Sequence, residues 1–146
     1  MTETTYALEV VVLPVHDVDR SLEFYRDKVG FPLDVDYAPS ADFRVIQLTP
    51  PGSSCSVQFG TGLTDAAAGS APRMHLVVAD IEQARDELTA RGVDVGEIRH
   101  KTPLDTWAGA LAPGVDAARR DYASFAEFAD PDGNTWVLQE RGHPSA

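Results

Sequence analysis

Apolar and polar positions along this chain follow first a strand rhythm and then a helix rhythm, and the pair recurs. Residues 7–15 (Ala-Leu-Glu-Val-Val-Val-Leu-Pro-Val) are nearly continuous in apolar character, which predicts a strand covered on both faces. Pro14 withholds one ladder donor, so this strand end is expected at an edge or bulge. Asp17 is placed to cap a helix whose buried face is Val18, Leu22, Tyr25 and Val29. Gly30 should end that helix in the left-handed conformation that glycine reaches cheaply. Strands are predicted over about 31–37, 43–49 and 55–60, separated by Pro39-Ser40-Ala41-Asp42 and Pro50-Pro51-Gly52-Ser53. Residues 61–72 are small and polar and read as a linker.

The second half restates the first. Asp17 falls on Asp80, Val18 on Ile81, Ser21 on Ala84, Tyr25 on Leu88 and, with one gap, Gly30 on Gly92. A strand at 74–79 leads into a helix from Asp80, where Gln83 completes a capping-box pattern and Gly92 is the stop. Strands are expected at 93–98, 122–129 and 135–140, with a long connection over 99–121. The tight-turn sequence Asp130-Pro131-Asp132-Gly133-Asn134 joins the last two. A repeat of this length predicts an α+β fold of two βαβββ modules, residues 1–65 and 66–146. The modules are expected to pair into a curved mixed sheet whose concave cleft would admit a small molecule.

Composition narrows the partners. The 146 residues are 43% hydrophobic and 24% charged, ordinary for a globular chain. A formal net charge of −11 argues against nucleic acid or an anionic membrane surface as partner. Cys55 is the single cysteine, so no internal disulfide forms. No apolar run approaches the roughly 20 residues of a membrane span, and Met1-Thr-Glu-Thr-Thr lacks a signal-peptide pattern. These features predict a cytoplasmic protein. Exposed sheet edges further predict a homodimer.

Two segments carry a family likeness: Val15-His16-Asp17-Val18-Asp19-Arg20-Ser21-Leu22-Glu23-Phe24-Tyr25 and Phe128-Ala129-Asp130-Pro131-Asp132-Gly133-Asn134. With them the chain resembles the vicinal oxygen chelate superfamily of glyoxalase I, bleomycin-resistance proteins and extradiol dioxygenases. The resemblance implies a metal site, in the enzymes of the family, built from His or Glu on four strands, where the metal acts as a Lewis acid. Matched to the motifs, those positions fall on Val10, Arg73, Val137 and, on or near the fourth strand position, Gln58. Valine offers no donor, arginine is cationic and a neutral amide is a poor ligand, so no metal and no cofactor are expected.

The remaining candidates are contacts. His75 shares a face with Arg73 and has three readings: a hydrogen-bonded structural histidine, a ligand contact, or a general acid or base. Gln58 and Gln139 are amides able to orient a ligand carbonyl or hydroxyl. Trp107 is a hydrophobic plug or an aromatic wall, and of Phe43 and Arg44 only one should face the cleft. Arg119, Arg120 and Asp121 read as a solvated charged turn, with closure of an arginine over an anion as the alternative. Ligand contact is thus expected from Val10, Val12, Arg44, Gln58, Arg73, His75, Trp107, Val137 and Gln139. No phosphate loop, nucleotide fingerprint or serine nucleophile motif is present. The leading expectation is a metal-free binder of a small, partly aromatic molecule. The alternatives are an enzyme of lyase, isomerase or dioxygenase type, with His75 or a non-standard metal site, and a partner-binding domain with a closed cleft.

Overall fold

The computed structural model describes residues 2–103 and 110–146. The chain divides into two compact units, residues 1–70 with 131–133, and residues 71–130 with 134–146.

In the first unit β1 (Val10–Val12) leads to α1 (Val18–Leu22), which runs on as a wider π-type coil (Glu23–Val29). Strands β2 (Leu33–Ser40), β3 (Phe43–Leu48) and β4 (Ser56–Thr61) follow. The sheet order is β1-β4-β3-β2, with β1 and β4 parallel and the other neighbours antiparallel. Asp17 caps α1 through a 3.1 Å bond from the Arg20 amide. At the other end the Gly30 and Phe31 amides both reach the Tyr25 carbonyl, at 3.0 and 2.9 Å. Gly30 adopts φ 92°, the left-handed turn expected of it. The wide coil explains why the buried face differs from a 3.6-residue count: Phe24 and Tyr25 are both buried, whereas Val18 is only half-buried. Tyr25 packs edge-on to Phe24 at 5.0 Å and near Phe59 and Phe31 at 5.6 and 6.2 Å, centroid to centroid. Burying each such ring is worth about 1.5–3 kcal/mol, so this cluster anchors the coil on the sheet.

The turn 131–133 belongs to this unit for identifiable reasons. Asp132 Oδ1 accepts from the His16 amide at 3.2 Å, and Arg20 donates to the Pro131 carbonyl at 3.3 Å. Gly69 (φ 81°) lies so close that a Cβ there would stand 2.0 Å from the Asp132 carbonyl oxygen.

The second unit repeats the plan with one addition. It comprises β5 (Met74–Val78), α2 (Ile81–Ala90), β6 (Arg99–Thr102), β7 (Ala110–Pro113), β8 (Ser124–Ala129) and β9 (Thr135–Glu140), ordered β5-β9-β8-β6-β7. Again the strand before the helix runs parallel to the last strand. The α+β class with its repeated βα unit therefore holds, but the second sheet has five strands rather than four. The expected strand at 93–98 is irregular. Its Val93 and Val95 are buried, yet its polar backbone is satisfied outside any ladder: the Gly96 amide donates to Glu127 O at 2.9 Å and the Gly96 carbonyl accepts from Arg85 Nε at 2.8 Å. Strands β6 and β7, paired antiparallel, lie within the long connection 99–121, where no strand was expected. Among the described residues no helix is long and apolar enough to cross a membrane.

Candidate functional site

Each sheet buries one face under its helix and leaves the other open. In the first unit the register Val10↔Ser56, Val12↔Gln58 and Gln47↔Gln58 sets Val10, Val12, Gln47 and Gln58 on the open face. Val35 (paired with Gln47) and Tyr37 (paired with Val45) continue it, and Val12, Val35 and Tyr37 are 38%, 39% and 57% exposed. At its centre Gln58 Nε2 donates to Gln47 Oε1 at 2.7 Å. The amide of Gln58 is thus oriented by a partner that alternation of Ile46 and Leu48 with Gln47 would have revealed.

Arg44 is not on this face. It pairs with Thr61 and turns to the helix side, where its guanidinium meets Asp36 at 3.0 Å and Asp19 of α1 at 2.7 Å. Strand parity decides this: Ile46 and Leu48, two and four residues on, are the buried core positions. The two carboxylates hold the guanidinium firmly protonated.

In the second unit His75↔Val137, Val77↔Gln139, Gln139↔Phe125 and Val137↔Glu127 define the open face. Arg73 precedes β5 and reaches Glu127 at 2.7 Å, an exposed pair worth little to stability by itself. Glu127 alternates with the buried Ala126 and Phe128, which is the signal that sequence reasoning overlooked. The His75 Nδ1 lies 2.8 Å from the Arg73 carbonyl oxygen. A carbonyl only accepts, so Nδ1 carries a proton. Gln139 spends one amide hydrogen on the Tyr122 carbonyl at 3.1 Å, and Val137 is buried between its neighbours. Trp136 points the other way, stacked on Phe128 at 6.2 Å. Trp107 lies outside the described residues.

Arg119 departs from the expected solvated turn. With its side chain 13% exposed, it clamps the fully buried Glu140 through two bonds, Nε to Oε1 at 2.8 Å and Nη2 to Oε2 at 2.7 Å. It also reaches Glu82 at 2.9 Å and Asp80 at 3.4 Å. Burial works to raise the Glu140 carboxyl, but the Arg119 hydrogen bonds and the Ile81 amide at 3.0 Å outweigh it and lower the pKa. Asp116 is likewise held below the usual carboxylate range by the Arg120 guanidinium.

Of the positions matched above to the family's metal site, Val10 and Gln58 lie on the open face of the first unit, the Gln58 amide already hydrogen-bonded, and Arg73 and the buried Val137 lie in the second. Among the described residues, Asp80, Glu140 and His143 bring ligand atoms within 4.8 Å of one another. In that cluster Arg119 binds both Glu140 oxygens and also reaches Asp80, so a cation is already seated there.

Comparison with known proteins defines the class. The model of the Glyoxalase/Bleomycin resistance protein/Dioxygenase superfamily matches residues 7–138, and the chain belongs to that superfamily. An uncharacterized protein of Shewanella frigidimarina is 30% identical over 129 residues, covering 88% of each chain. Among solved structures, TnmS3, an antibiotic binding protein from Streptomyces sp. CB03234, superposes with a TM-score of 0.70 at 24% identity, covering 95% of this chain and 98% of that one. A glyoxalase/bleomycin resistance protein from the same Streptomyces strain gives a TM-score of 0.67 at 26% identity, covering 91% and 99%.

Proposed function

We propose that this protein binds a small, partly aromatic molecule on the open faces of its sheets without a metal, as a cytoplasmic homodimer. The observation that carries the reading is the residue set at the family's metal positions: Val10, Gln58, Arg73 and Val137. Around them the open faces present Val12, Val35 and Tyr37 with an ordered glutamine pair, and His75 beside Val137. Apolar side chains around a few oriented polar groups are the usual lining of a small-molecule site. TnmS3 is described as an antibiotic binding protein, which agrees with this reading while sharing only the fold. The homodimer is supported by β2, an edge strand exposed along its whole length.

The test is metal analysis of untagged protein purified without chelator, followed by a thermal-shift screen of aromatic natural products and small carbonyl compounds. Metal far below one per chain together with a saturable rise in Tm supports the reading, since a ligand present at a hundredfold its Kd stabilises by about 2.7 kcal/mol. Near-stoichiometric metal, or no stabilising compound, overturns it. Light scattering that shows a monomer at micromolar concentration removes the dimer.

One observation favours a second, catalytic reading. His75 is exposed and its Nε2 has no partner among the described residues, which leaves that nitrogen open to exchange a proton with a substrate. If turnover of an identified substrate survives His75→Ala unchanged, that reading fails.

A further inference from the structure

The open face of the second sheet reverses the charge of the chain. Over the whole sequence 23 acidic side chains outnumber 12 basic ones. On this face the balance runs the other way. Residues paired across strands project to one side of a sheet, and successive residues along a strand to opposite sides. The register Gln139↔Phe125↔Arg99↔Pro113 therefore sets Arg99 on the open side, between Phe125 and Pro113. Its neighbour His100 pairs instead with the buried Ser124 on the helix side. Lys101, paired with Leu111, shares the side of Arg99. Arg141 follows the buried Glu140, donates its amide to the Val78 carbonyl at 2.9 Å and carries its guanidinium 5.7 Å from the Tyr122 ring centre.

The carboxylates nearby are engaged elsewhere. Glu127, on the same face, is bonded to Arg73 at 2.7 Å. Glu97 turns towards Arg85 of α2, at 3.6 Å, and Asp121 accepts from the Gly142 amide at 2.8 Å. Even with Asp121 set against Arg141, Arg99 pairs with no carboxylate among the described residues. Beside it in the same row lie the half-buried Phe125 and the exposed Pro113. The first unit offers no such charge: the residues that its register sets on the open face, Val10, Val12, Val35, Tyr37, Gln47 and Gln58, are all neutral. A local positive field on an otherwise acidic chain favours an anion at this one face.

Resting on the small-molecule reading above, we propose that the ligand is an aromatic acid, bound on the second sheet with its carboxylate on Arg99 and its ring on Phe125. A guanidinium takes a carboxylate through two parallel charge-assisted hydrogen bonds, and an aromatic neighbour holds a flat body beside it. The experiment titrates 2-naphthoate, and 2-naphthamide as its uncharged control, into the full chain and into Arg99→Gln and Arg91→Gln, followed by backbone amide NMR. Arg91, exposed at the end of α2, changes the net charge equally but lies off this face. Naphthoate should give saturable shifts at Arg99, Phe125 and Gln139. Naphthamide with the parent, and naphthoate with Arg99→Gln, should each bind about tenfold more weakly, and Arg91→Gln should bind naphthoate as the parent does. Arg99 is exposed, so the variant keeps its fold, which its unliganded spectrum verifies. Equal affinity for acid and amide, or shifts confined to the first unit, overturns the acid proposal and leaves the small-molecule reading standing. Equal losses in the two variants overturn it as a general charge effect. The same shifts on raising protein concentration without naphthoate overturn it in favour of a second copy on this face. Absence of binding by either compound also overturns it, while the thermal-shift screen decides the broader reading.

Discussion

The two units hold a helix on a sheet in opposite ways. In the first, the contact is an aromatic cluster of Phe24, Tyr25, Phe31 and Phe59, and its Arg44 pairs with Asp19 and Asp36 near the surface. In the second, Ile81 and Leu88 supply the apolar contact while a buried ion pair, Glu140 with Arg119, ties the last strand to the start of α2. The same topology therefore rests on dispersion and apolar burial in one copy and partly on charge in the other. The difference teaches that a repeated backbone plan does not repeat its energetics. Apolar burial is indifferent to pH, whereas a buried carboxylate is stable only while it is ionised.

Two large truncations should separate these regimes. Phe59→Ala removes a ring at the centre of the first cluster and should cost about 3–5 kcal/mol in urea unfolding, by the same amount at neutral and acid pH. Glu140→Ala takes from Arg119 its buried partner, leaving only the more exposed Glu82 and Asp80, and should also cost about 3–5 kcal/mol near neutrality. Its deficit relative to the parent should shrink in acid, where the parent loses the same pair. Equal pH behaviour of the two variants would dissolve the contrast between the units.

A smaller effect concerns the parent itself. Glu140 has a pKa lowered in the folded state, so its contribution is fully present above the unfolded value of about 4.3 and is lost as pH falls through the folded value. Asp116, also lowered, acts in the same sense. Stability should therefore decline on the acid side below about pH 5, and Glu140→Gln should flatten that limb. Asp36 is lowered too, but its pair with Arg44 is partly exposed and screened, so Asp36→Asn should leave the limb nearly unchanged. An acid limb untouched by Glu140→Gln would contradict the assignment.

The smallest contrast is between the two caps. Asp17→Ala should cost about 1 kcal/mol, the value of one N-cap bond. Asp80→Ala should cost more, because Asp80 caps α2 through Gln83 at 3.0 Å and also reaches Arg119 at 3.4 Å. Equal losses in chemical denaturation would mean that the second cap gains nothing from its ionic neighbours.

Much of this arrangement is legible from local pattern. The caps Asp17 and Asp80, the left-handed Gly30 and the strand parities of Val10, Gln58, Val137, Gln139 and Trp136 follow from periods of 2 and 3.6 and from short-range turn chemistry. The open-face partners Gln47 and Glu127 were equally within reach of alternation, because each stands between two buried neighbours. The face of Arg44 follows from the same parity, but the ion-pair partners of Arg44 and Arg119 do not, because they lie 8 to 39 positions away in sequence.

What the sequence alone determined is the α+β class, the repeated βα unit and both helix caps. These depend on neighbours a few residues apart. Only the tertiary structure decided that 93–98 is no strand, that the second sheet has a fifth strand, that Arg44 pairs with Asp19 and Asp36 and that Arg119 is sequestered with Glu140. Each of those outcomes is a competition for hydrogen-bond and charge partners far apart along the chain. Such a competition is settled only when folding brings all the rivals together.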